Sequence, residues 1–218
     1  MSSSPAAGSA KPSPRTVVPT VETVLAFVNT RADGGGRQEL FGDGRAFGAW
    51  LAEQGEFAGH GEFGGVGGVD GGGEAMATDA DAAAARELRD ALVTLLLAHS
   101  GDEASLGEPL RHAEQHLRRA GALYPLATVV TAGGVELASP QTGVPGVFGT
   151  VLAAVTTFAQ TGDWGRIKAC RNPPCHFGFF DRTRNGAGLY CSTGCGSQVS
   201  MRNYRRRQRR EGEAAPEA

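Results

Sequence analysis

Cys170-Arg-Asn-Pro-Pro-Cys175, then Cys191-Ser-Thr-Gly-Cys195, then Arg202-Asn-Tyr-Arg-Arg-Arg-Gln-Arg-Arg210: these runs decide how the chain is read. The four cysteines are the only ones in 218 residues, spaced C-x4-C-x15-C-x3-C. Two short-spaced pairs on separate local elements bring four sulfurs to tetrahedral corners without closing long loops, and tetrahedral sulfur is what Zn2+ takes in structural sites. A redox dithiol and plain packing cysteines are the competing readings. The spacing points to Cys170, Cys175, Cys191 and Cys195 as metal ligands and Zn2+ as the cofactor.

Around these ligands the sequence predicts a small treble-clef-like finger. Arg166-Ile-Lys-Ala-Cys170 alternates and reads as a strand. Asn172-Pro-Pro174 turns the chain, because proline fixes φ and restricts the residue before it. Phe177, Phe179 and Phe180 supply a second strand and the apolar mass of a very small core, and Asp181 to Gly188 is a polar loop. Ser192 or Thr193 caps a helix that carries Cys195 in its first turn. Lys168, Arg171, Arg182 and Arg184 lie near enough in sequence to offset the charge of a zinc tetrathiolate, and His176 is a substitute ligand that four sulfurs make unnecessary. So small a module draws on the order of 10 kcal/mol of folding free energy from its metal. Metal removal is therefore expected to unfold residues 165–210 and leave the rest helical.

Beyond the finger the arginines are one-sided. At about 100° per residue, Arg202, Arg205, Arg206 and Arg209 fall in one sector with Arg210 beside it, and Arg207 lies opposite. Such a stripe can follow a phosphate backbone; Arg182 and Arg184 add to it from the loop. Tyr204 can pack on Val199 and Met201 or stack on a base, with packing the favoured expectation, and Gln198, Asn203 and Gln208 are candidate base readers because amides match adenine edges. Charge segregation supports a polyanion partner. Residues 166–210 hold eleven Lys/Arg against one acid, Asp181, a balance of +10, and the remainder holds ten against twenty-two, or −12.

The preceding chain reads as mainly helical. Residues 1–16 are a Ser/Ala/Pro lead with no apolar face to bury. Val21, Val24, Leu25 and Val28 repeat at helical spacing, as do Phe47, Trp50 and Leu51 in a second short helix. Residues 55–73 hold ten glycines in nineteen positions, the heart of a flexible insertion over 55–77. Its Gly59-His-Gly-Glu-Phe-Gly64 spells a dinucleotide fingerprint, but neither the preceding strand nor the immediate helix that the motif needs is there. Thr78 starts the strongest helix, running to about His99, and a second follows from Leu106 to Arg119, closed by Gly121. His112 and His116 within it read as an exposed pair, with no acidic partner motif. Leu123–Thr131 and Val135–Ala138 form a hairpin about Gly133-Gly134, and a last helical stripe (Val147, Phe148, Val151, Val155, Phe158) leads into the cysteines. No nucleophile, base and orienter stand at telling spacing, so no enzyme is expected. No apolar run approaching about eighteen residues and no signal-peptide core are visible; a cytoplasmic protein without a membrane span is expected.

These residues resemble a known pair of bacterial modules. Cys170-Arg-Asn-Pro-Pro-Cys175, Phe180-Asp-Arg-Thr-Arg-Asn185, Tyr190-Cys-Ser192 and Cys195-Gly196 are similar to the CGNR-type zinc finger. Leu25-Ala-Phe-Val-Asn-Thr-Arg31, Trp50-Leu51 and Ala84-Ala-Arg-Glu-Leu-Arg-Asp-Ala91 look like the ABATE domain that precedes it. The resemblance implies a stress-induced transcription regulator, with a helical regulatory domain over 17–162 and a DNA-binding finger over 163–210; residues 211–218 read as an acidic tail outside it. The motif that names the finger is altered, with Ser197 and Gln198 in place of Asn and Arg. RNA or protein contact through Phe177, Phe179 and Tyr190 is the alternative, and a homodimer through the helical domain and an unidentified effector complete the expectation.

Overall fold

The computed structural model describes residues 21–33, 36–54 and 77–213. The expected N-terminal lead, most of the glycine-rich insertion with its fingerprint, and the end of the acidic tail lie outside them. Two small antiparallel hairpins accompany six α-helices among the described residues, a mainly helical architecture as the sequence predicts.

Helices α1 (Val21–Val28), α2 (Gly44–Glu53) and α3 (Asp79–Leu97) build most of the core. Asp43 caps α2 by accepting from the Ala46 amide, and Thr78 and Asp81 form a reciprocal capping box at the start of α3. The two helix starts are locked together: Asp79 accepts from the Gly44 amide at 2.8 Å. A Cβ at Gly44 would lie 2.3 Å from the Ala77 carbonyl oxygen, so only glycine allows the approach. Phe27, Phe41, Phe47, Trp50 and Phe148 interlock, with Phe41 4.9 Å from Phe47 and 5.0 Å from Trp50 in edge-on geometry.

Within this aromatic group sits a buried charge. Arg89, 2% exposed, donates to Glu39 at 2.5 Å and Asp90 at 3.1 Å, and its guanidinium lies 5.4 Å from the Phe41 ring centre. Burial pushes the Glu39 carboxyl up, but the bonds from Arg89 and the Phe41 amide outweigh it and hold the group below its ordinary value.

From α3 the chain passes through a π turn (Ala98–Asp102) into α4 (Glu103–Leu123), broken by left-handed glycines at Gly101 and Gly107. The sequence predicts that α4 stops at Arg119 and that Gly121 closes it. Instead Gly121 lies inside the helix, and Tyr124 still donates to Ala120 at 2.8 Å. The hairpin strand accordingly starts later than expected: β1 (Ala127–Thr131) pairs with β2 (Gly134–Ala138). His112 is exposed and lies 3.8 Å from Glu108; His116 is half-buried.

Helix α5 (Gly143–Gln160) corrects a second expectation. Its 18 residues have a mean hydropathy of 1.3, long and apolar enough by composition to cross a bilayer. Packing explains the apolarity: Val147, Phe148, Val151, Ala153 and Ala154 are buried in the body's interior.

A 3-10 turn (Trp164–Arg166) leads to β3 (Ile167–Ala169), which pairs with β4 (Gly178–Phe180) before α6 (Thr193–Glu213) ends the fold. All three residues of β3 are buried. Its alternation is intact, but both faces are covered: Ile167 and Ala169 enter the body's core, while Lys168 is enclosed by the loop after β4. Although β3 lies past residue 162, the helical body packs on it.

Candidate metal centre and nucleic-acid interface

Strand β3 delivers Cys170, fully buried, to the site, and its amide bonds the Phe177 carbonyl at 2.9 Å. The turn through the cis Pro173–Pro174 peptide returns Cys175, whose amide bonds the Asn172 carbonyl at 2.7 Å. The Arg171 amide takes the Leu189 carbonyl at 3.0 Å, drawing the second cysteine pair against the first. Of the two expected caps it is Ser192 that serves, its hydroxyl accepting from the Cys195 amide at 3.2 Å.

The four sulfurs lie within 4.8 Å of one another, with Cys175 to Cys191 at 3.8 Å and Cys191 to Cys195 at 3.7 Å. A tetrahedron with Zn–S bonds of about 2.3 Å has edges of about 3.8 Å, so the set fits zinc with little rearrangement. Burial and the close approach of the sulfurs oppose ionisation at two of the four thiols. Burial, then the neighbouring Cys170 sulfur, pushes Cys191 far up; burial also raises Cys175. A hydrogen bond from Asn172, helped by Ser192 and opposed by burial, holds Cys195 down at about 7. A divalent cation relieves that crowding by stabilising all four thiolates. His176 is engaged elsewhere, its Nδ1 3.2 Å from the Cys170 carbonyl.

The finger's aromatic residues do not form a private core. Phe180 packs edge-on against Phe158 of α5 at 5.8 Å, and Phe177 lies under the Arg37 guanidinium at 5.0 Å. Arg37 also donates to the Cys175 carbonyl. Asn29 of the body clamps β4 through both backbone groups of Gly178, donating at 3.0 Å and accepting at 2.7 Å. Ser100 donates to the Ala169 carbonyl at 2.7 Å, and His99 Nδ1 lies 2.8 Å from that of Ile167. Next to this last contact, burial keeps the His99 imidazole below its ordinary pKa.

Lys168 does not serve the sulfurs as expected. Its ammonium is buried against Asp181 at 2.9 Å and also reaches the Gly186 and Gly188 carbonyls. Burial opposes the Asp181 charge, but bonds from Thr183, Lys168 and the Thr183 and Gly188 amides hold it far below the usual carboxylate range. Arg166 adds bonds to the Asp181 and Thr183 carbonyls at 3.0 and 2.8 Å. The sole acid of the basic segment thus becomes an internal staple, a role signalled in sequence only by its isolation. Arg182 and Arg184 project from the stapled loop into solvent.

On α6, every residue from Met201 to Gly212 is exposed, including Arg205, Arg206, Arg209 and Arg210. Arg202 is held differently: it donates to the Asn172 side chain. Tyr204 and Met201 remain 52% and 53% exposed, so the expected packing covers only part of each. The amides proposed to read bases have local partners: Gln198 accepts from Asn172 at 2.9 Å, Asn203 from Arg206 at 3.5 Å, and Gln208 donates to Glu211 at 3.2 Å.

Comparison with known families agrees with this geometry. Residues 166–208 match the CGNR zinc finger family, and residues 22–161 match the ABATE family, described as "Putative stress-induced transcription regulator". No curated protein matches the chain. The zinc-compatible sulfur cluster lies in the finger match and the Arg89-centred body in the other; the chain belongs to the ABATE family and ends in a zinc-binding CGNR finger.

Proposed function

We propose that the protein is a DNA-binding regulator in which Zn2+, held by Cys170, Cys175, Cys191 and Cys195, orients α6 on the phosphate backbone. One observation carries the reading: the arginine stripe continues the face of α6 that carries Cys195. At about 100° per residue, Cys195 falls within the sector of Arg205, Arg206 and Arg209. The helix face that turns to the metal in its first turn therefore becomes a cationic face once the finger ends. Arg210 flanks it, and Arg182 and Arg184 on the stapled loop add two further cations. None of these six arginines makes an ion pair with an acid among the described residues, leaving their charge available to a polyanion.

Neither matched family is an enzyme class. The ABATE body, whose side chains hold the finger's backbone at Gly178, Cys175 and Ala169, is the element through which an effector or a second copy acts on the finger. Of the three aromatic residues of the protein-contact reading, Phe177 already lies under the Arg37 guanidinium of the body.

Titration of zinc-loaded protein against duplex DNA and single-stranded RNA over a salt series tests the proposal. Log affinity for DNA should fall linearly with log salt, and each of Arg205→Gln and Arg209→Gln should lower the slope by about 0.9. Failure to bind duplex at low salt, or a slope indifferent to both substitutions, sinks it. A preference for RNA moves the same stripe to a different polyanion.

A further inference from the structure

Asn172 sits in the turn between the first two cysteines and is 3% exposed. Its side chain makes three contacts, all to one helix. Nδ2 donates to Gln198 Oε1 at 2.9 Å, Oδ1 accepts from Arg202 Nη2, and the amide also donates to the Cys195 sulfur. Residues 195, 198 and 202 are spaced three and four apart, so one buried amide grips a single face of α6 over two turns. Packing offers α6 little other guidance past Ser200, since every residue from Met201 to Gly212 is exposed.

We propose that Asn172 is the positioning residue that sets the direction of α6, with Arg202 a strut to it and not a nucleic-acid contact. The amide's polarity fits this role. Both of its N–H groups are taken by acceptors, Gln198 Oε1 and the Cys195 sulfur, which leaves Oδ1 for the donor at position 202. Gln198 stands where the finger's name motif has arginine. A guanidinium only donates, so an arginine there would compete with Arg202 for Oδ1. Arg202, which can only donate, thus fixes the Asn172 amide with Oδ1 toward it, and Gln198 completes that orientation by accepting through Oε1. Because Asn172 also touches a metal ligand, formation of the zinc site and the aim of the arginine stripe are coupled through one side chain.

The structural claim stands without DNA, whereas its consequence for binding rests on the proposed function; the test has an arm for each. In zinc-loaded full-length protein, amide hydrogen exchange over residues 199–206 should accelerate about tenfold in Asn172→Ala and in Arg202→Ala. The double substitution should exchange no faster than Asn172→Ala alone, because the Arg202 link runs through Asn172. Arg202→Lys, which keeps a donor, should recover part of the protection, and bound zinc should be unchanged in the Arg202 variants. Gln198→Arg should make the exchange of this segment insensitive to Arg202→Ala. In the DNA arm, Arg202→Ala should weaken binding at every salt concentration without changing the salt slope, while Arg205→Gln changes the slope. Unaltered exchange in both alanine variants, or additive acceleration in the double, overturns the proposal. So does an Arg202→Ala slope that falls as far as that of Arg205→Gln with exchange unchanged. If wild-type protein binds no DNA, the regulator reading fails and the exchange experiment still decides the role of Asn172.

Discussion

Around Phe27 the body interlocks five aromatic side chains, whereas beyond Ala169 the buried residues of the finger are Cys170, Asn172, Gly178 and Asp181 among those described. The first region is held by apolar area removed from water. The second contains no buried apolar side chain larger than cysteine. It is organised by sulfur, by one ion pair, Lys168–Asp181, and by side chains that satisfy backbone groups. The two are not independent, however. Ile167 and Ala169 belong to the body's core, and Asn29, Arg37 and Ser100 reach across to the finger's backbone. Metal-dependent and area-dependent folding meet along the β3–β4 hairpin, and that junction is where the comparison can be broken.

The largest effect is expected from zinc removal. Chelation, or Cys175→Ser, should withdraw on the order of 10 kcal/mol from the finger. The sequence alone predicts that the body then stays as it was. With Ile167 and Ala169 in the shared core, its melting temperature should fall as well, followed by near-ultraviolet circular dichroism of Trp50. A body transition indifferent to chelation would restore the picture of separate modules.

Arg89→Ala tests the body by itself. It leaves Glu39 without its cation inside the fold and should cost about 3 kcal/mol in denaturant unfolding. The pH dependence has a definite sign. The folded-state pKa of Glu39 lies below its ordinary value of 4.5, so the pair's contribution is fully present above that pH and is lost as the pH falls through the depressed value. Glu39→Gln should therefore flatten the acid limb of the stability curve; an unchanged limb would remove the pair as a source of stability.

Gly178→Ala addresses the seam between the regions. The new Cβ would lie 2.6 Å from Val28 Cγ2 and 3.3 Å from Leu25 Cδ2, so α1 and β4 must separate, at a cost of about 1–3 kcal/mol. Differential hydrogen exchange should place the loss on both sides of the seam, in α1 and in the finger hairpin. Loss confined to the hairpin would show that the body does not feel the finger's position. The smallest effect is expected at the exposed stripe: Arg205→Gln with Arg209→Gln should leave stability within about 0.5 kcal/mol by urea titration. A larger change would mean that these arginines support the fold.

Much of this protein was legible in its sequence because the signals are local. Helical periodicity located α1, α2, α3 and α5, and the capping box at Thr78 and Asp81 depends on residues three apart. Four cysteines within 26 positions announced a zinc site for the same reason: short spacings leave few other geometries. The end of α4 was misjudged because Gly121 is equally compatible with a helix interior, and only the Tyr124-to-Ala120 bond shows which applies.

By itself, then, the sequence determined the helical body, the four-sulfur cluster and the existence of a one-sided arginine face, all properties of residues close along the chain. Tertiary structure alone decided that Lys168 neutralises Asp181 and not the sulfurs, that Arg89 finds Glu39 fifty residues away, and that Arg202 is tied to Asn172. It also decided that Phe177 and Phe180 of the finger lean on the body. The physical reason is common to all of these: a buried charge or amide takes whatever partner the packing of separate elements brings within about 3 Å, and no sequence spacing encodes that encounter.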